Sequence, residues 1–218
     1  MMLADARFPS GGYAQSAGLE PAVRAGLTGD GAHPEDVPRF AAARLRTVVA
    51  VDAGTAVASR LVALEPDGWT LRDVEDAWAA RTPSRPLREV ARLTGRGYLR
   101  LAGRLWPEVL THLGSDTAVP RPVVLGVVAA VAGLSGRQVA RLVGYDDVQT
   151  VASAALKLLP LDPAEVAGWT LTLHRDVEAM AASLDDLRGP EDIPDRGAPA
   201  IDVHAERHRR AEMRLFHA

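Results

Sequence analysis

Residues 123–132 form an almost unbroken apolar run, and no other segment limits the fold so tightly. A helix that is hydrophobic all round has no face to offer water, so this one must be buried. Pro120 and Pro122 start the run. It is short and rich in β-branched residues, so a buried strand stays open at this point. Elsewhere the spacing is helical. Val37, Phe40, Ala41, Leu45 and Val48 keep three- and four-residue intervals, which predicts an amphipathic helix over about 37–64. A short helix is expected over 13–25, after the corner made by Phe8-Pro9-Ser10-Gly11-Gly12. Thr70 with Asp73 resembles a capping box that opens a helix through Trp78. Periodicity returns over 87–113, with Gly95, Gly97 and Gly103 inside it. Each glycine costs up to about 1 kcal/mol relative to Ala, so close backbone packing is expected there. Two shorter helices are expected over 135–143 and 146–159, and Pro163 opens a long one to about 187. Convincing period-2 alternation is absent. The class is therefore all-α, a single bundle of about seven or eight helices.

After Arg188 the composition changes, with Gly189, Pro190, Pro194, Gly197 and Pro199 set among charges. Such a stretch has little capacity to form core and reads as an extended linker. The expected organisation is a helical domain over 1–188, then a linker and C-terminal tail over 189–218. The chain has 218 residues, of which 47% are hydrophobic, enough to bury a core without metal or disulfide. It has no cysteine, so thiolate chemistry and Cys-based metal sites are excluded. The net charge of −3 gives no positive field for a phosphate backbone, and nucleic-acid binding is disfavoured. The N-terminus lacks the pattern of a signal peptide. The longest uncharged apolar stretch, 122–136, is shorter than the roughly 20 residues that span a bilayer. A soluble, intracellular protein is expected.

Familiar catalytic signatures are missing: no phosphate loop, no dinucleotide fingerprint, no H-E-x-x-H and no G-x-S-x-G. His204 and His208 stand at i, i+4, a spacing that could place two metal ligands on one helix face. Arg207, Arg209 and Arg210 surround them and oppose a divalent ion, so a solvated tail is the better reading and no metal or cofactor is assigned. Residues 134–157 have the outline of a DNA-binding helix-turn-helix with Gly144 at the turn. The would-be recognition helix opens with Asp146-Asp147, which would repel phosphates, and a core helical hairpin is preferred. Lys157 is the only lysine in a chain otherwise reliant on arginine.

Three landmarks turn these residues into a resemblance. Phe8-Pro9-Ser10-Gly11-Gly12-Tyr13 with Ser16-Ala17-Gly18-Leu19-Glu20 resembles the opening of the UreF family of urease accessory proteins. Ala154-Ala155-Leu156-Lys157-Leu158-Leu159-Pro160-Leu161 is similar to the family's A-x-K-L-x-P-L block, and Met213-Arg214-Leu215-Phe216 to its R-L-F ending. Leu87-Arg88-Glu89 with Arg92 and Gly95 resembles a central block, although Val90 and Ala91 replace acidic residues. The resemblance implies an all-α, cytoplasmic, non-enzymatic homodimer. It would bind the scaffold UreD (UreH in some organisms), recruit the GTPase UreG and help deliver nickel to apo-urease. The landmark residues Pro9, Gly11, Gly12, Tyr13, Ser16, Gly18, Glu20, Lys157, Arg214, Leu215 and Phe216 are the implied partner-binding or activation positions. Glu20 and Lys157 have opposite signs and could pair, and the tail carrying Arg214, Leu215 and Phe216 is expected to dock UreD rather than its own core.

Overall fold

The computed structural model describes residues 15–65, 68–115, 118–209 and 215–216. Among these residues the chain is helical without strands: α1 Leu19–Arg24, α2 Asp36–Leu45, α3 Val48–Leu64, α4 Leu71–Arg81, α5 Arg85–Leu105, α6 Val109–Leu113, α7 Arg121–Val131, α8 Gly136–Leu158, α9 Pro163–Ala182 and α10 Pro199–Arg209. The apolar run is α7, and Val123, Val124, Leu125, Val127, Val128 and Ala129 are all buried. It packs chiefly against α3, with α5 on another side. Gly126 permits the crossing. A Cβ at that position would meet the Ala56 carbonyl oxygen and lie 2.5 Å from the Ser59 side chain. Thr55 and Ser59 are buried in α3 and donate their hydroxyls to the Val51 and Thr55 carbonyls, each at 2.8 Å, which leaves neither unsatisfied.

The helix expected over 37–64 divides between α2 and α3. At the junction the Thr47 hydroxyl donates to the Ala43 carbonyl at 2.8 Å, a local bond that competes with the helical ladder. Residues Asp36–Leu64 together are long and apolar enough to cross a membrane, which the uncharged-stretch criterion missed, but most of the stretch is buried inside the bundle. The periodic region 87–113 also divides, at Trp106. Pro107 has no N–H to continue the ladder and forces Trp106 out of the helical region, to φ −138° and ψ 82°.

The two helices expected over 135–159 are one. α8 runs unbroken for 23 residues, opened by a capping box between Ser135 and Gln138. Gly144 lies inside it and is a packing residue: a Cβ there would stand 2.9 Å from Met180 and 3.1 Å from Val177 of α9. A helix-turn-helix needs two helices and a turn, so residues 134–157 lack that geometry. Smaller expectations hold. The box at Thr70 and Asp73 is closed in both directions, and Asp162 caps α9 through the Ala164 amide at 2.8 Å, ahead of Pro163.

The stretch after Arg188 departs from an extended linker. Pro190–Asp192 form a 3-10 turn, Pro190 and Ile193 are buried, and Pro194 would be 2.6 Å from a Cβ at Gly54. The Arg81 guanidinium fastens it, donating to the Glu191 and Ile193 carbonyls at 3.1 and 2.9 Å. Apolar burial and the Arg81 bonds hold a segment whose composition alone points to solvent.

Candidate functional site

The first site begins at a tight turn. Ser16, Ala17, Gly18 and Leu19 close with the Leu19 amide on the Ser16 carbonyl at 2.9 Å, and the central residues Ala17 and Gly18 lie at φ 51° and 77°. Glycine takes such a conformation freely, whereas alanine does so at a cost. The turn delivers Leu19 and Glu20 into the protein with no exposed surface. The Ser16 hydroxyl accepts the Glu20 amide at 3.4 Å, so this landmark is a device for starting α1 with a buried carboxylate.

That carboxylate holds the C-terminus. Glu20 Oε1 accepts the Leu215 amide and Oε2 the Phe216 amide, both at 2.9 Å, across nearly the whole length of the chain. Arg24 donates to Oε1 at 2.7 Å. His208 of α10 is buried beside it, with Nε2 3.1 Å from the Phe216 carbonyl and 3.6 Å from Glu20 Oε2. Because a carbonyl only accepts, Nε2 carries the proton in that bond. Lys157, at the end of α8, places its ammonium 5.2 Å from the centroid of the Phe216 ring. Glu20 and Lys157 thus meet at one aromatic residue. Phe216 is 4% exposed and Leu215 is 62% exposed, so consecutive residues face in and out.

Of the residues singled out from the landmarks, the structure brings together Ser16, Gly18, Glu20, Lys157, Leu215 and Phe216. Pro9, Gly11, Gly12, Tyr13 and Arg214 lie outside the described residues. His208 enters as a partner of the C-terminus. His204 is half-buried, and burial followed by the charge of Arg207 pushes its pKa down. No group of three or more metal-ligating residues occurs among the described residues.

A second site carries charges that the sequence reading passed over. A cavity of about 160 Å³ lies among α2, α3, α4, α5, α7, α8 and α10. Arg44 reaches Asp147 with two bonds, Nε at 3.0 Å and a terminal nitrogen at 2.6 Å. Arg121 pairs with Asp146 and stacks 5.3 Å from the Tyr98 centroid. Asp52 stands in the wall and accepts the Trp78 indole N–H at 2.9 Å. Burial pushes the Asp52 carboxyl up, against the opposing effects of the Trp78 bond and of Arg121. Burial also opposes the Arg44 charge, yet Asp147 holds that guanidinium above its ordinary value. A sequence signal for Asp52 existed: it is the one charged residue in the apolar stretch 48–58.

Comparison with known proteins follows the same lines as the landmarks. The UreF family model matches residues 32–174. The urease accessory protein UreF of Mycobacterium sp. (strain JLS) is 37% identical over 221 residues, covering 99% of this chain and 96% of that protein. The proteins of the same name from Mycolicibacterium vanbaalenii and Mycobacterium tuberculosis are 36% and 35% identical, with the same coverage. These relatives are named as accessory proteins of urease and not as urease. Matched along almost its entire length, the chain belongs to the UreF family of urease accessory proteins.

Proposed function

We propose that the chain is a non-catalytic assembly factor of urease maturation, acting in the cytoplasm as a homodimer with the scaffold UreD or UreH and the GTPase UreG to bring nickel to apo-urease. The observation that carries this reading is the meeting of family landmarks at one place. Glu20 of the opening, Lys157 of the A-x-K-L block and Leu215-Phe216 of the ending share a single cluster, although they are far apart in sequence. Phe216 fastens the terminus to the core, while Leu215 is held outward by the amide that Glu20 binds. An exposed leucine beside an anchored phenylalanine, near an exposed lysine, has the form of an interface anchor with a charged rim. In this reading the docking residues are held at the core instead of trailing from a free linker. The experiment is calorimetry of the full chain against UreD, with Leu215→Ala and Lys157→Ala beside it. Leu215→Ala should weaken UreD binding tenfold or more while leaving the melting temperature in place. Equal affinity for the variant and the parent chain would remove the strap from the interface.

A further inference from the structure

We infer that the cavity walled by Asp52 is a binding site for a primary alkylammonium group, a cationic head on a short apolar stem. Part of the cavity's hydrogen-bonding capacity is already engaged. Four carboxylates line it, Asp52, Asp146, Asp147 and Asp202, against three guanidiniums, Arg44, Arg81 and Arg121. Every guanidinium is committed. Arg44 is bidentate on Asp147, Arg121 is paired with Asp146, and Arg81 is held by the carbonyls of Ala77, Glu191 and Ile193. Among the described lining residues, an anionic ligand would find no guanidinium without a carboxylate or carbonyl partner.

Asp52 is in the opposite position. An ionised carboxylate offers about four acceptor directions, and the described residues give Asp52 one direct donor, the Trp78 indole N–H. The capacity left over in the cavity is therefore negative and accepting, which calls for a positive donor. A metal ion suits the place poorly, because Asp146 and Asp147 are already taken by arginine and the described residues gather no group of three ligands. The rest of the lining decides the remainder of the ligand. Val51, Val90, Ala91 and Ile201 provide apolar wall, and Trp78 and Tyr98 provide aromatic surface. The volume of about 160 Å³ is close to that of the roughly 150 Å³ cavity that admits benzene, enough for an ammonium on a chain of a few carbons. A free amine and the lysine side chain of a partner share this chemistry.

Titration of the isotopically labelled full chain followed at the Trp78 indole N–H resonance, assigned through Trp78→Phe, tests the site. n-Butylammonium should shift that resonance saturably, whereas n-butanol, of similar shape and without charge, should not. Asp52→Asn keeps an oxygen for the Trp78 bond and removes the charge, and should weaken n-butylammonium at least tenfold. A third probe, Nα-acetyl-lysine methylamide, separates the sources: saturable binding of it marks a pocket open to a partner's lysine, and binding of n-butylammonium alone marks a site for free amines. Equal shifts from n-butylammonium and n-butanol, or no saturable shift from either, would overturn the proposal in the parent chain whatever the variant does. Because it uses the isolated chain, the result stands apart from the role in urease maturation.

Discussion

Glu20 and Asp52 are both carboxylates carried into the body of a helical bundle, and the protein treats them in opposite ways. Glu20 has two backbone amides, an arginine and a nearby histidine. Among the described residues Asp52 has one indole donor, and it faces a cavity. A buried carboxylate surrounded by donors is a fastening, because most of the hydrogen bonds it lost from water are replaced. One with a single donor keeps capacity for something else, at the cost of the stability that full satisfaction would add. The difference separates a structural latch from a candidate binding pocket within one domain.

The comparison is most severely tested at the latch. Glu20→Ala strands the Leu215 and Phe216 amides and removes one partner of Arg24. With each orphaned buried group costing about 1 to 3 kcal/mol, a loss of about 4 kcal/mol is expected in urea denaturation. A loss under about 1 kcal/mol would mean that the strap does not depend on the carboxylate. Phe216→Ala follows. It empties a buried aromatic position at the strap's end and should lower stability by about 3 kcal/mol, and truncation of residues 201–218 should lower the melting temperature for the same reason. An unchanged melting point on truncation would restore the picture of a tail independent of the core.

At the cavity the sign reverses. The Asp52 carboxyl has a folded-state pKa above its ordinary 3.8. Its contribution is thus fully present below about pH 4 and is lost as pH rises through the folded value. Asn at this position does not titrate. Asp52→Asn should match the parent chain at the acid end and become the more stable of the two toward neutral pH. Parallel stability curves for the two proteins would show that Asp52 bears no burial penalty. Smallest of all is Lys157→Ala, which removes an exposed ammonium from the Phe216 ring. It should change stability by about 0.5 to 1 kcal/mol, yet reduce nickel-dependent urease activation in a reconstituted assay more than that loss explains. Proportionate losses of stability and activation would make Lys157 a prop for Phe216 and no more.

The places where sequence reading and structure diverge have a common pattern. Thr70 with Asp73 and Pro163 were legible because a cap is decided within three or four residues. Gly144 read as a turn because glycine is the usual residue for one. In the fold it is the residue thin enough to let α8 lie against Met180 and Val177. Residues 189–199 read as solvated because their composition is poor in apolar side chains. Pro190 and Ile193 nevertheless find a prepared surface on α3 and α4.

What the sequence determined by itself is whatever depends on near neighbours: helical spacing, caps, breaks at proline, and a run so apolar that it had to be enclosed. It also carried the family, since the landmarks are strings of adjacent residues. Only the tertiary structure decided that Glu20 would hold amides 195 and 196 residues away, or that Arg44 would clasp Asp147 at a separation of 103. Nothing in the local chain marks such a partner. A carboxylate looks the same in sequence whether it will be saturated or left open, and which of these it becomes depends on how many donors the packed helices bring within about 3 Å.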